Sequence, residues 1–308
     1  MEKEYLTRER VIETLRALVA CSSPYFHEGE MIEQAKDWFC AHGLPAKIHE
    51  FYESKETQFH GKNAVLLLDS GRPGPSIYLG GHLDTVKLCD GWTRDPFAGA
   101  IEGDDMYGVG ALDMKSGCAA IMLALTQFYK DYHDQFCGQI ICQLVSDEEG
   151  PYGLGTVFLM KDNVHNIRNG VDFAMICEPS AGFTRTPHPC ICLGARGGYS
   201  YTIKVHGKSA HSATPSLGIN AVCDASAIVC QLEKAELATD EKLGHSELCV
   251  IGMNSSQGAC SVPDYAEINI FRHTVRGETI ASLRDEAQCY YQVIIVFLNN
   301  NNPELKHS

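Results

Sequence analysis

The sequence predicts an α/β protein in which a mostly parallel sheet, covered by helices on both faces, is followed by a smaller α+β domain. Short apolar runs alternate with helical segments over the first 190 residues, which is typical of such a sheet. From about Gly194 the predicted order becomes β-α-β-β-α. The length of 308 residues is about twice that of a typical domain. We therefore expect domains at 1–190 and 191–293 and a frayed tail at 294–308.

Apolar spacing predicts the elements of the first domain. A helix over residues 7–20 places Val11, Leu15 and Leu18 on one face, and a second helix runs from about 29 to a glycine stop at Gly43. The next predicted elements are strands 63–69 and 76–81, a helix at 116–130, strand 138–146, a helix near 153–162 and strand 172–177. This alternation favours parallel strands joined by helices.

The second domain is predicted from a separate group of patterns. Its elements are strand 197–207, a long helix at 219–237, strands 247–253 and 265–271, and a helix at 278–292. The asparagine run at 299–302 predicts the frayed tail.

The charge balance excludes several classes of partner. The chain has 39 acidic and 25 basic residues and a net charge of −14, which repels nucleic acid and anionic membrane surfaces. The N-terminal segment lacks the basic-then-apolar order of a secretory signal, and the run YYQVIIVFL is about half as long as a membrane helix. These features predict a soluble, cytoplasmic protein.

The 14 cysteines are scattered without C-x-x-C spacing, which disfavours a disulfide scaffold or a zinc-thiolate site. Cys118, Cys142 and Cys177 are predicted to be small buried hydrophobes.

Polar side chains cluster just after the predicted strands of the first domain. His82 and Asp84 follow strand 76–81, and acidic residues follow the next two strands; the full set is His82, Asp84, Asp113, Asp147, Glu148, Glu149 and Glu178. Carboxyl ends of parallel strands meet at one edge of a sheet, where α/β proteins place ligands. One imidazole with several carboxylates and no thiolate suits zinc, cobalt or manganese.

The same pattern suggests individual roles. We expect Asp113 to bridge two ions, as a shared carboxylate does in two-metal hydrolases. Asp84 is placed to accept the second N–H of His82 and so to orient the ring. Each motif alone is more often a turn or a solvated acidic loop, but their joint occurrence at strand ends favours a metal-dependent hydrolase.

Five runs resemble the M20 metallopeptidases, the family of acetylornithine deacetylase, succinyl-diaminopimelate desuccinylase, aminoacylase and glutamate carboxypeptidase. The runs are GGHLDTV, GVGALDMKSGCAA, SDEEGPYGLGT, CEPS and VHGKSAHSATPSLGINAV. The resemblance extends to about residue 292. It implies a phosphorylase/hydrolase-like catalytic domain with an inserted ferredoxin-like lid and dimerisation domain.

The resemblance also implies roles in the catalytic domain. His82, Asp113 and Glu178 would bind one metal, and Asp113 with Glu149 the other. Glu148 would be the general base and Asp84 the orienting carboxylate. Glutamate at position 178 is typical of the deacylases and carboxypeptidases rather than the aminopeptidases.

Two residues of the lid are implied to contact substrate. His211 matches a histidine that reaches the partner subunit's active site and stabilises the oxyanion. In relatives an arginine binds the substrate carboxylate at the position where this chain has His273. We therefore expect Arg272, one residue earlier, to bind the carboxylate instead. A one-residue shift reverses the face of a strand, and a solvated lid charge is the alternative reading of Arg272.

The end of the chain bears on the metal count. In the family the chain returns from the lid, completes the catalytic domain and supplies a final histidine to the second metal. This sequence stops soon after the last lid helix, and His307 is a poor replacement in a frayed tail. We therefore expect an incomplete catalytic domain and one bound ion, Zn²⁺ or else Co²⁺ or Mn²⁺, instead of the family's two.

The sequence supports a main hypothesis and one alternative. The main hypothesis is a homodimeric, metal-dependent hydrolase that cleaves the amide bond of N-acyl amino acids or small peptides. The alternative is a truncated, non-catalytic homologue that binds metal or dimerises. Nucleotide binding through GVGALD is disfavoured because Asp113 occupies the third glycine position of that motif.

Overall fold

The computed structural model of the chain describes residues 4–180, 190–192, 194–256 and 260–286. The chain divides into two units, Met1–Cys190 and Ile191–Ser308. No helix among the described residues is long and apolar enough to cross a membrane.

The first unit consists of a five-stranded sheet, a two-stranded ribbon and four α-helices in its described part. In chain order these are α1 (Arg8–Ala20), α2 (Gly29–Ala41), β1 (Lys47–Tyr52), β2 (His60–Asp69), β3 (Ser76–His82), β4 (Ala100–Glu102), β5 (Asp105–Tyr107), α3 (Ser116–Tyr132), β6 (Gln139–Val145), α4 (Leu154–Lys161) and β7 (Phe173–Ile176). Strands β4 and β5 form the ribbon.

The five-stranded sheet is mixed, which corrects the prediction of a mostly parallel sheet. Its order is β1-β2-β6-β3-β7. The pairs β1–β2 and β2–β6 are antiparallel, whereas β3 pairs with β6 and with β7 in parallel. The sequence analysis missed β1, since Phe51 is the only one of its six residues that is buried and the apolar signal is weak. A short connection from β1 to β2 permits only antiparallel pairing.

Helices α1 and α2 form as their apolar spacing predicts. The Oγ1 of Thr7 caps α1 by accepting from the amide of Arg10 at 3.3 Å. Leu18 and Val19 are buried, whereas Val11 is 44% exposed, so the predicted face is narrower than expected. The two helices and α3 share one core with the sheet, which contains Met31, Ile32, Phe39, Leu66, Leu68, Met122 and Cys142 among others. Of the three cysteines expected inside, Cys118 and Cys142 are buried and Cys177 is half-buried.

The second unit is built on a three-stranded antiparallel sheet. Its elements are β8 (Gly197–His206), α5 (Ala221–Leu232), β9 (Thr239–Asp240), β10 (Gly244–His245), β11 (Glu247–Ser255) and β12 (Tyr265–Thr274), and the sheet order is β11-β12-β8. Residues 280–286 are helical, and the rest of the predicted helix 278–292 lies outside the described residues, as does the tail with His307.

Helix α5 covers one face of this sheet. Its buried residues Ala221, Ala225, Ile228 and Leu232 recur at helical spacing and pack against β8 and β12. Asn220 is the N-cap and accepts from two helix amides, which explains why the helix begins later than predicted. The apolar stripe ends at Leu232, where the helix ends.

Enlarging Ala225 tests the packing of α5. We expect Ala225→Leu to lower the free energy of unfolding of the second unit by about 1–3 kcal/mol, because the side chain is fully buried and a larger one must displace its neighbours. The matched control is Ala227→Leu, since Ala227 is exposed on the same helix. Urea unfolding of the three proteins checks this, and equal effects of the two substitutions would contradict the packing.

Candidate metal centre

The parallel strands bring the predicted site residues to one edge of the sheet. His82 is the last residue of β3 and lies beside Val145, the last residue of β6. The acidic residues Glu148 and Glu149 follow β6, and Glu178 follows β7 by two residues. Three strands therefore deliver their polar residues to the same place, as the sequence predicts.

The imidazole of His82 is the centre of this group. The ring is buried, and its Nε2 lies 3.2 Å from Asp113 Oδ1, 3.6 Å from Glu178 Oε1 and 3.7 Å from Glu148 Oε2. The three carboxylates come from three different segments of the chain. Such convergence on one nitrogen produces a small volume lined by negative charge.

Asp84 acts differently from the sequence expectation. The Nδ1 of His82 lies 3.0 Å from the main-chain oxygen of Asp84 but 3.6 Å from its carboxylate. The carboxylate instead accepts from the amides of Glu148, at 3.1 Å, and Glu149, at 2.9 Å. Asp84 thus orients the ring through its main chain, and its side chain holds the two glutamates.

We call residues 146–149 the acidic loop, and every amide in it donates to a buried side chain. Besides the two bonds to Asp84, the amide of Ser146 donates to Asn63 Oδ1 at 3.1 Å and that of Asp147 to Glu28 Oε1 at 2.9 Å. Asn63, Glu28 and Asp84 are all fully buried. The main chain of the loop is therefore fixed at four consecutive positions.

Two glycines let the chain turn tightly around the acidic loop. A Cβ on Gly150 would lie 1.7 Å from Asp147 Oδ1, and one on Gly155 would lie 2.2 Å from the main-chain oxygen of Ser146. Neither position has room for a side chain, which gives the SDEEGPYGLGT run a steric reason.

The segment that carries Asp113 is tied to the end of α1. Lys115 is fully buried, and its Nζ donates to the main-chain oxygens of Leu18 and Cys21, both at 2.9 Å. Burial lowers the pKa of Lys115 to about 8. The sequence analysis did not identify Glu28, Asn63 or Lys115 as residues that hold the site. Asn63 had a local signal, since it is a polar residue at the start of the apolar run NAVLLLD.

The cluster is electrostatically unbalanced. Burial, with a contribution from the charge of Asp113, raises the pKa of Glu149 and that of Glu178 to about 7. Burial also raises the pKa of Glu148. For His82, burial acts to lower the pKa, but hydrogen bonds with Asp113 and Asp84 outweigh it and raise the pKa to about 11. The imidazole therefore carries a proton that partly balances the carboxylates around it.

The donor set fits a divalent metal. Two overlapping groups, His82–Asp113–Glu149 and His82–Glu148–Glu178, each place one ligand atom per residue within 4.8 Å of the others. Imidazole nitrogen and carboxylate oxygen are ligands of zinc and manganese, and carboxylates of facing segments can hold two ions. The geometry places Glu148, the expected base, as near to His82 as the expected ligand Glu178.

The second unit contains the two residues expected to contact substrate. His211 is exposed, and its Nδ1 accepts from the amide of Ala213 at 3.1 Å. Arg272 does not lie where we expected a residue that contacts substrate. It is 1% exposed, and its guanidinium bonds to Glu278 at 2.7 Å and to Glu286 at 3.2 Å. It belongs to the buried face of β12, and His273 lies on the opposite face.

Comparisons with known proteins identify the family of the chain. Residues 78–276 match the family model of peptidase family M20/M25/M40. The chain is 36% identical to succinyl-diaminopimelate desuccinylase of Thioalkalivibrio sulfidiphilus over 159 residues, which are 51% of this chain and 41% of that protein.

Two solved structures show the same fold. Human carnosine dipeptidase 1 has a TM-score of 0.70 at 18% identity, over 94% of this chain and 75% of that one. The YXEP protein of Bacillus subtilis, a dinuclear metal-binding peptidase of the M20 family, has a TM-score of 0.59 at 14% identity, over 95% of this chain and 71% of that one.

The chain spans less than half of the length of the desuccinylases that it matches, between 41% and 49% in three of them. The family match nevertheless covers more than half of this chain and includes every residue of the cluster around His82. The chain belongs to peptidase family M20/M25/M40.

Proposed function

We propose that the chain works as a divalent-metal-dependent hydrolase that cleaves the amide bond of N-acyl amino acids or small peptides. The observation that carries this proposal is the buried Nε2 of His82, which faces three carboxylates within 3.7 Å in a member of a peptidase family. A structural role alone would not concentrate so many like charges beside one another.

The ligand roles are assigned to residues of this cluster. His82, Asp113 and Glu178 would hold the one ion that we expect, whereas Asp113 and Glu149 offer only two ligands toward a second; zinc, cobalt and manganese all suit these donors. Such an ion, when bound, acidifies water and polarises a carbonyl group. The bound state requires His82 to give up the proton that it holds in the metal-free protein.

Glu148 is assigned the proton transfers. Its carboxylate would take a proton from the attacking water and return it to the departing amine. Partial burial raises its pKa, which brings it closer to the neutral pH at which a general base works best. The bonds from its own amide and that of Glu149 to Asp84 support this role, since they fix the main chain from which the side chain extends.

The proposed substrate class is supported by the relatives and by Glu178, since glutamate at this position is typical of the deacylases and carboxypeptidases that the chain resembles. The matched relatives are succinyl-diaminopimelate desuccinylases and a structural neighbour is a dipeptidase, so an acyl group on an amino acid is the common chemical feature. His211 is assigned to the oxyanion of a partner subunit, and the second unit to the lid and to dimerisation. Arg272 is not assigned to the substrate, because two glutamates hold it.

Replacing Glu148 tests the assignment of the base. We expect Glu148→Gln to lower kcat by about two to four orders of magnitude, because proton transfer is lost while the shape is kept. Zinc binding should persist, because Glu148 is not one of the assigned ligands and glutamine keeps the shape of its side chain. Hydrolysis of N-succinyl and N-acetyl amino acids and dipeptides with added zinc or cobalt is the assay, and Glu9→Gln, on an exposed turn of α1, is the control. Loss of metal together with activity would make Glu148 a ligand instead.

The cluster also predicts a pH dependence of stability. Glu28, Glu149 and Glu178 have pKa values raised from 4.5 to about 7, so the folded, metal-free protein binds more protons than the unfolded chain between these values. Its stability should therefore fall as pH rises from 5 to 8. The raised pKa of His82 acts in the same direction above about 6.5.

Added zinc should reverse this trend. Metal binding needs deprotonated ligands, so the affinity and the stabilisation it gives should increase with pH over the same range. Thermal unfolding from pH 5 to 8, with zinc and with a chelator, measures both slopes. Parallel slopes in the two series would contradict the metal centre.

A homodimer is expected through the second unit. The apolar residues of α5 pack against its own sheet, so the surface that we assign to dimerisation is β11, one of the two edge strands, where Ile251 is 61% exposed and Met253 is 38% exposed. Sedimentation at micromolar concentration should show a dimer that Ile251→Lys weakens. A monomeric wild type, or an Ile251→Lys protein that dimerises normally, would contradict this arrangement.

A further inference from the structure

Glu28 is a buried carboxylate that the proposed reaction does not use. It lies at the N-cap of α2 without capping that helix, and its side chain reaches across the unit instead. Its Oε1 accepts from the amide of Asp147, which is 119 residues away in the sequence, at 2.9 Å. Its Oε2 is buried and has no hydrogen-bond partner among the described residues.

This placement is costly in isolation. The carboxylate is fully buried and lies near the negative charges of Asp84 and Asp147, both of which oppose its ionisation. An apolar side chain of similar size would avoid that cost. In return, the carboxylate interacts with its own main-chain amide and accepts the hydrogen bond from the amide of Asp147 in the acidic loop.

Glu28 accepts from the amide of Asp147, the residue of the acidic loop with an unfavourable backbone conformation. Asp147 has a φ of 53°, a left-handed conformation that is unfavourable for residues other than glycine. This turn changes the direction of the chain after β6, so that Glu148 and Glu149 follow it toward His82. Asn63 holds the amide before the turn and Asp84 the two after it, which leaves the strained residue itself to Glu28.

We propose that Glu28 is a positioning residue for the metal centre, whose Oε1 holds the amide of Asp147 and thereby sets the positions of Glu148 and Glu149. The role depends on an acceptor oxygen at that place and not on negative charge. Only the expected effect on zinc affinity rests on the proposed function. The effect on the acidic loop does not, because amide hydrogen exchange can be measured without any ion.

Three substitutions separate the acceptor from the charge. Glu28→Gln keeps an acceptor oxygen at the same reach and removes the charge. Glu28→Asp keeps the charge but shortens the side chain by one methylene group. Glu28→Leu removes both, and Glu30→Leu is the matched control, since Glu30 is exposed on the same helix.

Two measurements are made on each variant of the 308-residue chain. Amide hydrogen exchange of residues 146–149 in the metal-free protein reports the loop, and chelator competition gives the zinc affinity. We expect Glu28→Leu and Glu28→Asp to speed exchange at Asp147, Glu148 and Glu149 and to weaken zinc by about 10- to 100-fold. Glu28→Gln and Glu30→Leu should stay within about threefold of the wild type in both measurements.

Results other than these contradict either the role of Glu28 or the proposed function. Unchanged exchange at Glu148 and Glu149 in a folded Glu28→Leu protein would refute the inference, and so would a Glu28→Gln protein that behaves like Glu28→Leu. If Glu28→Leu does not fold, the comparison of Glu28→Gln with Glu28→Asp decides. A wild type that binds no zinc would refute the proposed function, whereas the exchange measurement would still decide the role of Glu28.

Discussion

The carboxylate of Asp84 is the constraint on which the site depends. It is fully buried and accepts from the amides of both Glu148 and Glu149, while its own main-chain oxygen lies 3.0 Å from Nδ1 of His82. One residue therefore joins the end of β3 to the loop after β6. The main-chain oxygen of Asp84 thus orients the imidazole, and its buried side chain holds the main chain from which the two glutamates extend.

The electrostatics of the site follow from the same convergence. Segments that meet at one edge of the sheet bring more negative than positive charge into a partly buried volume. Burial raises the pKa of Glu149 and that of Glu178, and the negative charge of Asp113 adds to the effect, whereas hydrogen bonds with Asp113 and Asp84 raise the pKa of His82. A divalent cation would offset more of this negative charge than the single proton on His82 does. The site is thus arranged for a bound ion at the expense of the metal-free fold.

Strand β12 shows how a one-residue difference changes the role of a charged side chain. Its even-numbered residues from Ala266 to Thr274 are buried, and Arg272 is one of them. The guanidinium is therefore paired with Glu278 and Glu286, where it stabilises the second unit. The neighbouring His273 lies on the other face. Strand alternation alone predicts this opposition, but which face is covered depends on the helices packed against the sheet.

The sequence by itself determined the helices α1 and α2, most strands and the residues that gather around His82, because apolar periodicity and polar strand ends are local patterns. Only the tertiary structure decided that the sheet is mixed. Strand β1 has little apolar signal, and the antiparallel pairing of β2 with β6 joins strands that are distant in the sequence. The tertiary structure also decided which buried side chains hold the amides of the acidic loop. Asn63 and Glu28 bond to amides 83 and 119 residues away, and a contact over that distance leaves no pattern in the neighbouring sequence, because the chain fold alone brings its two partners together.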